Sequence, residues 1–129
     1  MAPSAAPILA SVAFLVGSAQ AVCASGEVGI SRVQVYNYNG ANNVLESDSW
    51  DIVANNCNTI ATGKSPFKGN PCSASPYPNG YGVSGCDSSG KPGSVKTTGG
   101  NFGNCYSHGA RCANGPYFYS GVFWCCKRV

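Results

Sequence analysis

Apolar and polar positions alternate most clearly over residues 31–38, where Val33 and Val35 point to one side and Arg32, Gln34 and Tyr36 to the other. A period of two predicts a half-buried β-strand. Asn39-Gly40, extended by Asn42-Asn43, predicts the turn that ends it. Over residues 44–57, Trp50, Ile52 and Ala54 share one face of a strand. Ser49 would suit the cap of a short helix, but the expected state is strand. From residue 57 to 103 the pattern breaks at Ser65-Pro66, Asn70-Pro71, Tyr77-Pro78-Asn79-Gly80 and Lys91-Pro92-Gly93. Such punctuation excludes long helices and predicts loops, with one short strand over residues 94–98. Near the C-terminus, Tyr117-Phe118-Tyr119 and the run Val122-Phe123-Trp124-Cys125-Cys126 flank Ser120-Gly121. This predicts a hairpin whose two-residue turn uses Gly121 at positive φ. Phe118, Phe123 or Trp124 is expected mostly in the core, and Tyr77 and Tyr81, on a Pro/Gly loop, at the surface.

One segment has a different texture. Residues 8–17 are an apolar run interrupted only by Ser11 and closed by Ser18-Ala19-Gln20-Ala21. Ala19 and Ala21 have the small-residue spacing of a secretory cleavage site, although the n-region carries no Lys or Arg. The run is too short to span a bilayer, which takes about 20 apolar residues. The expected organisation is a signal peptide over residues 1–21 and a single domain over residues 22–129.

The cysteine count then sets the stabilising device. All eight cysteines, Cys23, Cys57, Cys72, Cys86, Cys105, Cys112, Cys125 and Cys126, lie after residue 21. An even count in a short exported chain predicts a disulfide framework. Zinc is the weaker alternative, because there is no C-x₂-C spacing and only one histidine. The pairing is not legible in the spacing, but Cys72 and Cys86 are placed to pin the central loops. Cys125 and Cys126 should bridge to two different partners, since joining neighbours strains the peptide. Together these readings predict an all-β or mostly β fold: a small disulfide-rich antiparallel domain with long loops.

Charge and chemistry add little that is specific. A formal charge of +3 is too weak to argue for nucleic acid, but suits anionic surfaces. His108 and Arg111, with Glu27 or Glu46 as carboxylate, are the residues that a ribonuclease-like reaction would use. Fungal guanyl-specific ribonucleases have similar size and β content, but their motifs are absent and they use two histidines. The simpler expectation is an exposed polar loop around His108. The carboxylates of Glu46, Asp48 and Asp51 cluster as a solvated face would, and no nucleophile elbow or calcium loop is present. Catalytic residues, metal and cofactor are therefore all expected to be none. Tyr77 and Tyr81 are the candidate surface-binding residues, since flat rings with polar edges suit binding surfaces.

The short leader ending Ala19-Gln20-Ala21, the eight cysteines and the Gly/Asn/Ser richness resemble a loose class, the small secreted cysteine-rich effector or elicitor proteins of plant-associated fungi. The resemblance covers the whole chain and is compositional. It implies an extracellular monomer that contacts a host extracellular protein or receptor, or cell-wall polysaccharide, without catalysis and without nucleic acid. An antimicrobial or killer-toxin-like protein is the first alternative, and a carbohydrate-binding module or ribonuclease-like enzyme the second.

Overall fold

The computed structural model describes residues 21–38, 40, 43–64, 69–74, 76–115 and 118–129. Residues 1–20 of the expected signal segment over residues 1–21, the Asn39 and Asn42 turn positions and Ser65-Pro66 lie outside the described residues. The elements are all strands: β1 (Val28–Tyr38), β2 (Asn43–Ala54), β3 (Thr59–Lys64), β4 (Gly82–Ser84), β5 (Ser94–Thr97), β6 (Gly100–Gly115) and β7 (Phe118–Arg128). They form one antiparallel seven-stranded sheet in the order β3-β2-β1-β7-β6-β5-β4.

The sheet curls, because residues from its two halves bury one another. Val28, Ile30, Trp50, Ile52 and Ala61 from β1–β3 share a cluster with Val95, Phe102, Cys105, Trp124 and Cys126 from β5–β7. Ile30, Ile52 and Val95 are wholly inaccessible, and each such side chain contributes about 1.5–3 kcal/mol of burial. Trp50 and Ile52 therefore share a buried face, as their spacing requires. A second cluster lies on the outer face, where Val22, Cys23, Val53, Val122 and Cys125 pack together. Two covered faces explain why Ile52 and Val53, adjacent in β2, are both buried.

The connection between the two edge strands closes the curl. Tyr77 lies over Gly63 of β3, so closely that a Cβ at Gly63 would meet the ring at 2.6 Å. Its hydroxyl donates to the Pro71 carbonyl at 3.0 Å. Tyr81 shares a 2.9 Å hydrogen bond with Thr98, between β5 and β6. Both tyrosines are half-buried against the inner cluster, not exposed as their Pro/Gly context suggests. An unpaired strand edge needs covering, and these rings supply part of the cover.

All eight cysteines are paired: Cys23–Cys125, Cys57–Cys112, Cys72–Cys86 and Cys105–Cys126. Cys125 and Cys126 bridge to different partners on opposite faces, and Cys72–Cys86 ties two loops together, as expected. Two further expectations fail. Ser120-Gly121 is not a turn; both residues lie inside β7, opposite Ala113 and Arg111 of β6. Gly121 has no positive φ; instead its missing side chain admits the Tyr119 hydroxyl, which a Cβ would strike. The stretch around His108 is not a loop but the middle of β6, a sixteen-residue strand. Polar residues can form such a strand when both flanking strands pair with it and two of its cysteines are bridged.

Candidate functional site

The β6–β7 pair is regular except where it slips. Ser107 faces Trp124 and Ala110 faces Val122, so His108 and Gly109 together oppose Phe123 alone. On the other side of β7, Ile30 faces Trp124 and Ser31 faces Val122, which leaves Phe123 without a partner on β1. Both bulges thus converge on one residue. A bulge breaks alternation and re-aims a side chain. Val122 and Trp124 can then be buried in different clusters, at 2% and 7% exposure, while Phe123 between them is 38% exposed. Of Phe118, Phe123 and Trp124, among which a core residue was expected, Trp124 is buried and Phe123 is not. The side chain of Phe118 lies outside the described residues.

Two grooves flank Phe123. The larger, about 520 Å³, is lined by Ser107, His108, Arg111, Tyr119, Val122 and Phe123, together with Gly109 and Ala110. Arg111 is exposed, and its guanidinium stands 5.7 Å from the Tyr119 ring centre. The smaller groove, about 420 Å³, has Trp50, Phe123 and Trp124 as its aromatic floor and Asn70, Ser73, Ser88 and Ser89 at its rim. Phe123 meets Trp50 edge-on at 5.4 Å and Trp124 at 5.7 Å. The Trp50 indole N–H donates to the Gly69 carbonyl at 3.2 Å, which ties this floor to the loop above it.

Arg32 stands at the edge of the smaller groove but is already engaged. Its Nε and Nη2 donate to the two Asp48 carboxylate oxygens at 3.0 and 2.5 Å, and it lies 5.6 Å from the Trp50 ring centre. The Asp48 side chain is fully buried. Hydrogen bonding to Asp48 raises the Arg32 pKa above its ordinary value. The cluster of Glu46, Asp48 and Asp51 is accordingly not a uniformly solvated face. Glu46 is exposed, but Asp48 is paired inside and Asp51 is buried, with Oδ1 lacking a hydrogen-bond partner among the described residues. Burial raises the Asp51 pKa, against hydroxyl hydrogen bonds from Thr62, Thr59 and Ser49.

The residues considered for general acid–base chemistry are not assembled with a carboxylate. His108 and Arg111 line one groove. Glu27 instead accepts from the Tyr106 hydroxyl at 2.6 Å and from the Ala24 amide at 3.1 Å, and this bond raises the Tyr106 pKa. Glu46 is on β2, with β1 and β7 between it and β6. Cys23, Glu27 and Cys125 are close enough to suggest metal ligation, but both sulfurs are spent in a disulfide.

No protein-family model matches the chain, and neither a curated protein nor a solved structure is detectably similar to it. The chemistry of the surface must therefore be read from its own residues. Sequence reasoning missed Phe123 as an exposed group and Tyr119 as its neighbour. The available clue was Val122-Phe123-Trp124-Cys125-Cys126, five consecutive apolar residues in a strand, which period-two alternation accommodates only with two covered faces or a bulge. This strand has both.

Proposed function

We propose that this chain is a secreted, cysteine-rich effector or elicitor that acts outside the producing cell on a host, by surface contact and not by catalysis. The observation that carries the reading is the bridging pattern. Four disulfides, spanning separations of 102, 55, 14 and 21 residues, lock the N-terminal segment, the outer face, the loops and the inner cluster. Such a framework belongs to oxidising compartments and holds a small fold rigid there. No helix among the described residues is long and apolar enough to cross a membrane.

Processing after Ala21 suits the local structure. Val22 would become the first residue, and its side chain is already buried while its backbone nitrogen donates to the Asn55 carbonyl at 2.7 Å. An α-ammonium keeps that donor.

The deciding experiment applies one oxidised preparation to leaf tissue and to microbial cultures. A host response that disappears on reduction and alkylation supports the reading. Growth inhibition without a host response favours a killer-toxin-like protein, a reading to which the net charge of +3 lends some support. RNA hydrolysis abolished by His108→Ala would end the non-catalytic reading.

A further inference from the structure

We propose that Phe123 and the two grooves beside it form the docking surface for an acidic peptide segment of a partner protein. The inference rests on the surface-contact reading above and names where that contact is made and by what chemistry.

Three observations combine. The first is that Phe123 is aimed outward by the architecture of the sheet. Two bulges coincide at this residue, and its neighbours on both sides are buried while it is not. A phenyl ring braced against Trp50 and Trp124 is already ordered, so it loses little freedom when a partner covers it. The second is the charge of the lining. Neither groove has an Asp or Glu among its lining residues. Arg32 is neutralised by Asp48, whereas Arg111 is exposed, stacks on Tyr119 and makes no ion pair among the described residues. Its guanidinium donors remain free for a carboxylate, which a planar fork binds in bidentate fashion. The third is shape. Two open grooves divided by a projecting ring take side chains on either side of it, whereas a small ligand is normally enclosed.

The same observations weigh against other occupants. Neutral sugars are gripped by side-chain amides and carboxylates beside an aromatic ring; the larger groove has neither among its lining residues, and the smaller has only Asn70, whose Oδ1 already accepts from the Cys72 and Ser73 amides. Nucleic acid and polyuronates are held by rows of cations along a charged backbone, and among the described residues Arg111 is the sole arginine or lysine lining the larger groove. One arginine beside Tyr119 and Phe123 is instead the composition of a protein–protein hot spot. It suits a carboxylate followed by an apolar side chain.

The test uses the secreted, disulfide-intact protein and a fluorescein-labelled synthetic peptide alternating Glu and Leu, followed by anisotropy. The matched Lys/Leu peptide, an oligogalacturonate and a short RNA serve as rival ligands. The Glu/Leu peptide should bind, and more weakly at high salt. Phe123→Ala and Arg111→Glu should each weaken it at least tenfold. Lys96→Glu, at an exposed position of β5, should not change it. Because Arg111 is exposed, its substitution keeps the test valid even if Phe123→Ala loosens the aromatic cluster. Equal binding of the Lys/Leu peptide, tighter binding of the oligogalacturonate or RNA, or unchanged affinity in both variants overturns the proposal. The same variants in the leaf assay separate the two readings. A host response that survives when peptide binding is lost removes this surface and leaves the effector function standing. A wild-type protein that binds the peptide but provokes no host response removes the effector function and leaves the surface.

Discussion

Replacing both Cys57 and Cys112 by alanine removes the bridge between the β2–β3 turn and the C-terminal part of β6. The pair closes 55 residues of chain. The Cys72–Cys86 bridge lies inside that span and shortens the loop actually freed to about 40 residues, for which loop-closure entropy gives roughly 4 kcal/mol. Cys72–Cys86 itself, at a separation of 14, is worth roughly 3 kcal/mol by the same relation. The local backbone adds a second magnitude. Cys57 has φ +73°, one of two described non-glycine residues in the left-handed region. Its amide donates to the Ala54 carbonyl at 3.0 Å in a tight turn. Alanine at 57 inherits the left-handed cost of about 1–2 kcal/mol. Glycine escapes it but loses about 0.4–1 kcal/mol through the greater freedom of the unfolded chain. Cys57→Gly/Cys112→Ala should therefore be more stable than Cys57→Ala/Cys112→Ala by about 0.5–1 kcal/mol. Urea unfolding without reductant at neutral pH, followed by tryptophan fluorescence, measures all three variants. A domain of this size has about 5–15 kcal/mol in total, so the largest loss brings it near its limit. The reasoning is refuted if Cys72→Ala/Cys86→Ala costs more than Cys57→Ala/Cys112→Ala, or if the glycine version is the less stable of its pair.

Three shorter predictions follow from buried groups. Asp51 has a raised pKa because burial penalises its charge. Its folded pKa thus exceeds the unfolded one, and stability falls as pH rises from the ordinary carboxylate range through the raised value. Asp51→Asn should therefore raise the melting temperature at pH 7 and change it little at pH 3; no gain at pH 7 would contradict the burial argument. Arg32→Ala strands the buried Asp48 carboxylate and should cost about 3 kcal/mol, whereas Arg32→Met with Asp48→Leu should cost less, because both charges leave together; chemical denaturation of the two variants gives the order. Gly63→Ala drives a methyl into the Tyr77 ring and should cost about 1–3 kcal/mol. The phenol of Tyr77, whose pKa burial raises, should then titrate at lower pH in ultraviolet spectra.

Much of the local character was legible in the residues themselves. Alternation at Val33 and Val35 marks β1, the face shared by Trp50 and Ile52 marks β2, and Pro/Gly punctuation rules out helices. The adjacency of Cys125 and Cys126 already required two different partners, because the constraint is steric and local. The tertiary structure decided everything that depends on residues far apart in the chain. It chose which cysteines meet, made a strand of the polar stretch through His108, and put Tyr77 and Tyr81 against the core. The reason is that a β-strand satisfies its backbone only through neighbours, so β6 exists because β5 and β7 flank it, not because its own residues favour extension. The same holds for Phe123. Nothing in a phenylalanine between valine and tryptophan says which way it points. Its direction follows from two bulges, each produced by the register of a different neighbouring strand.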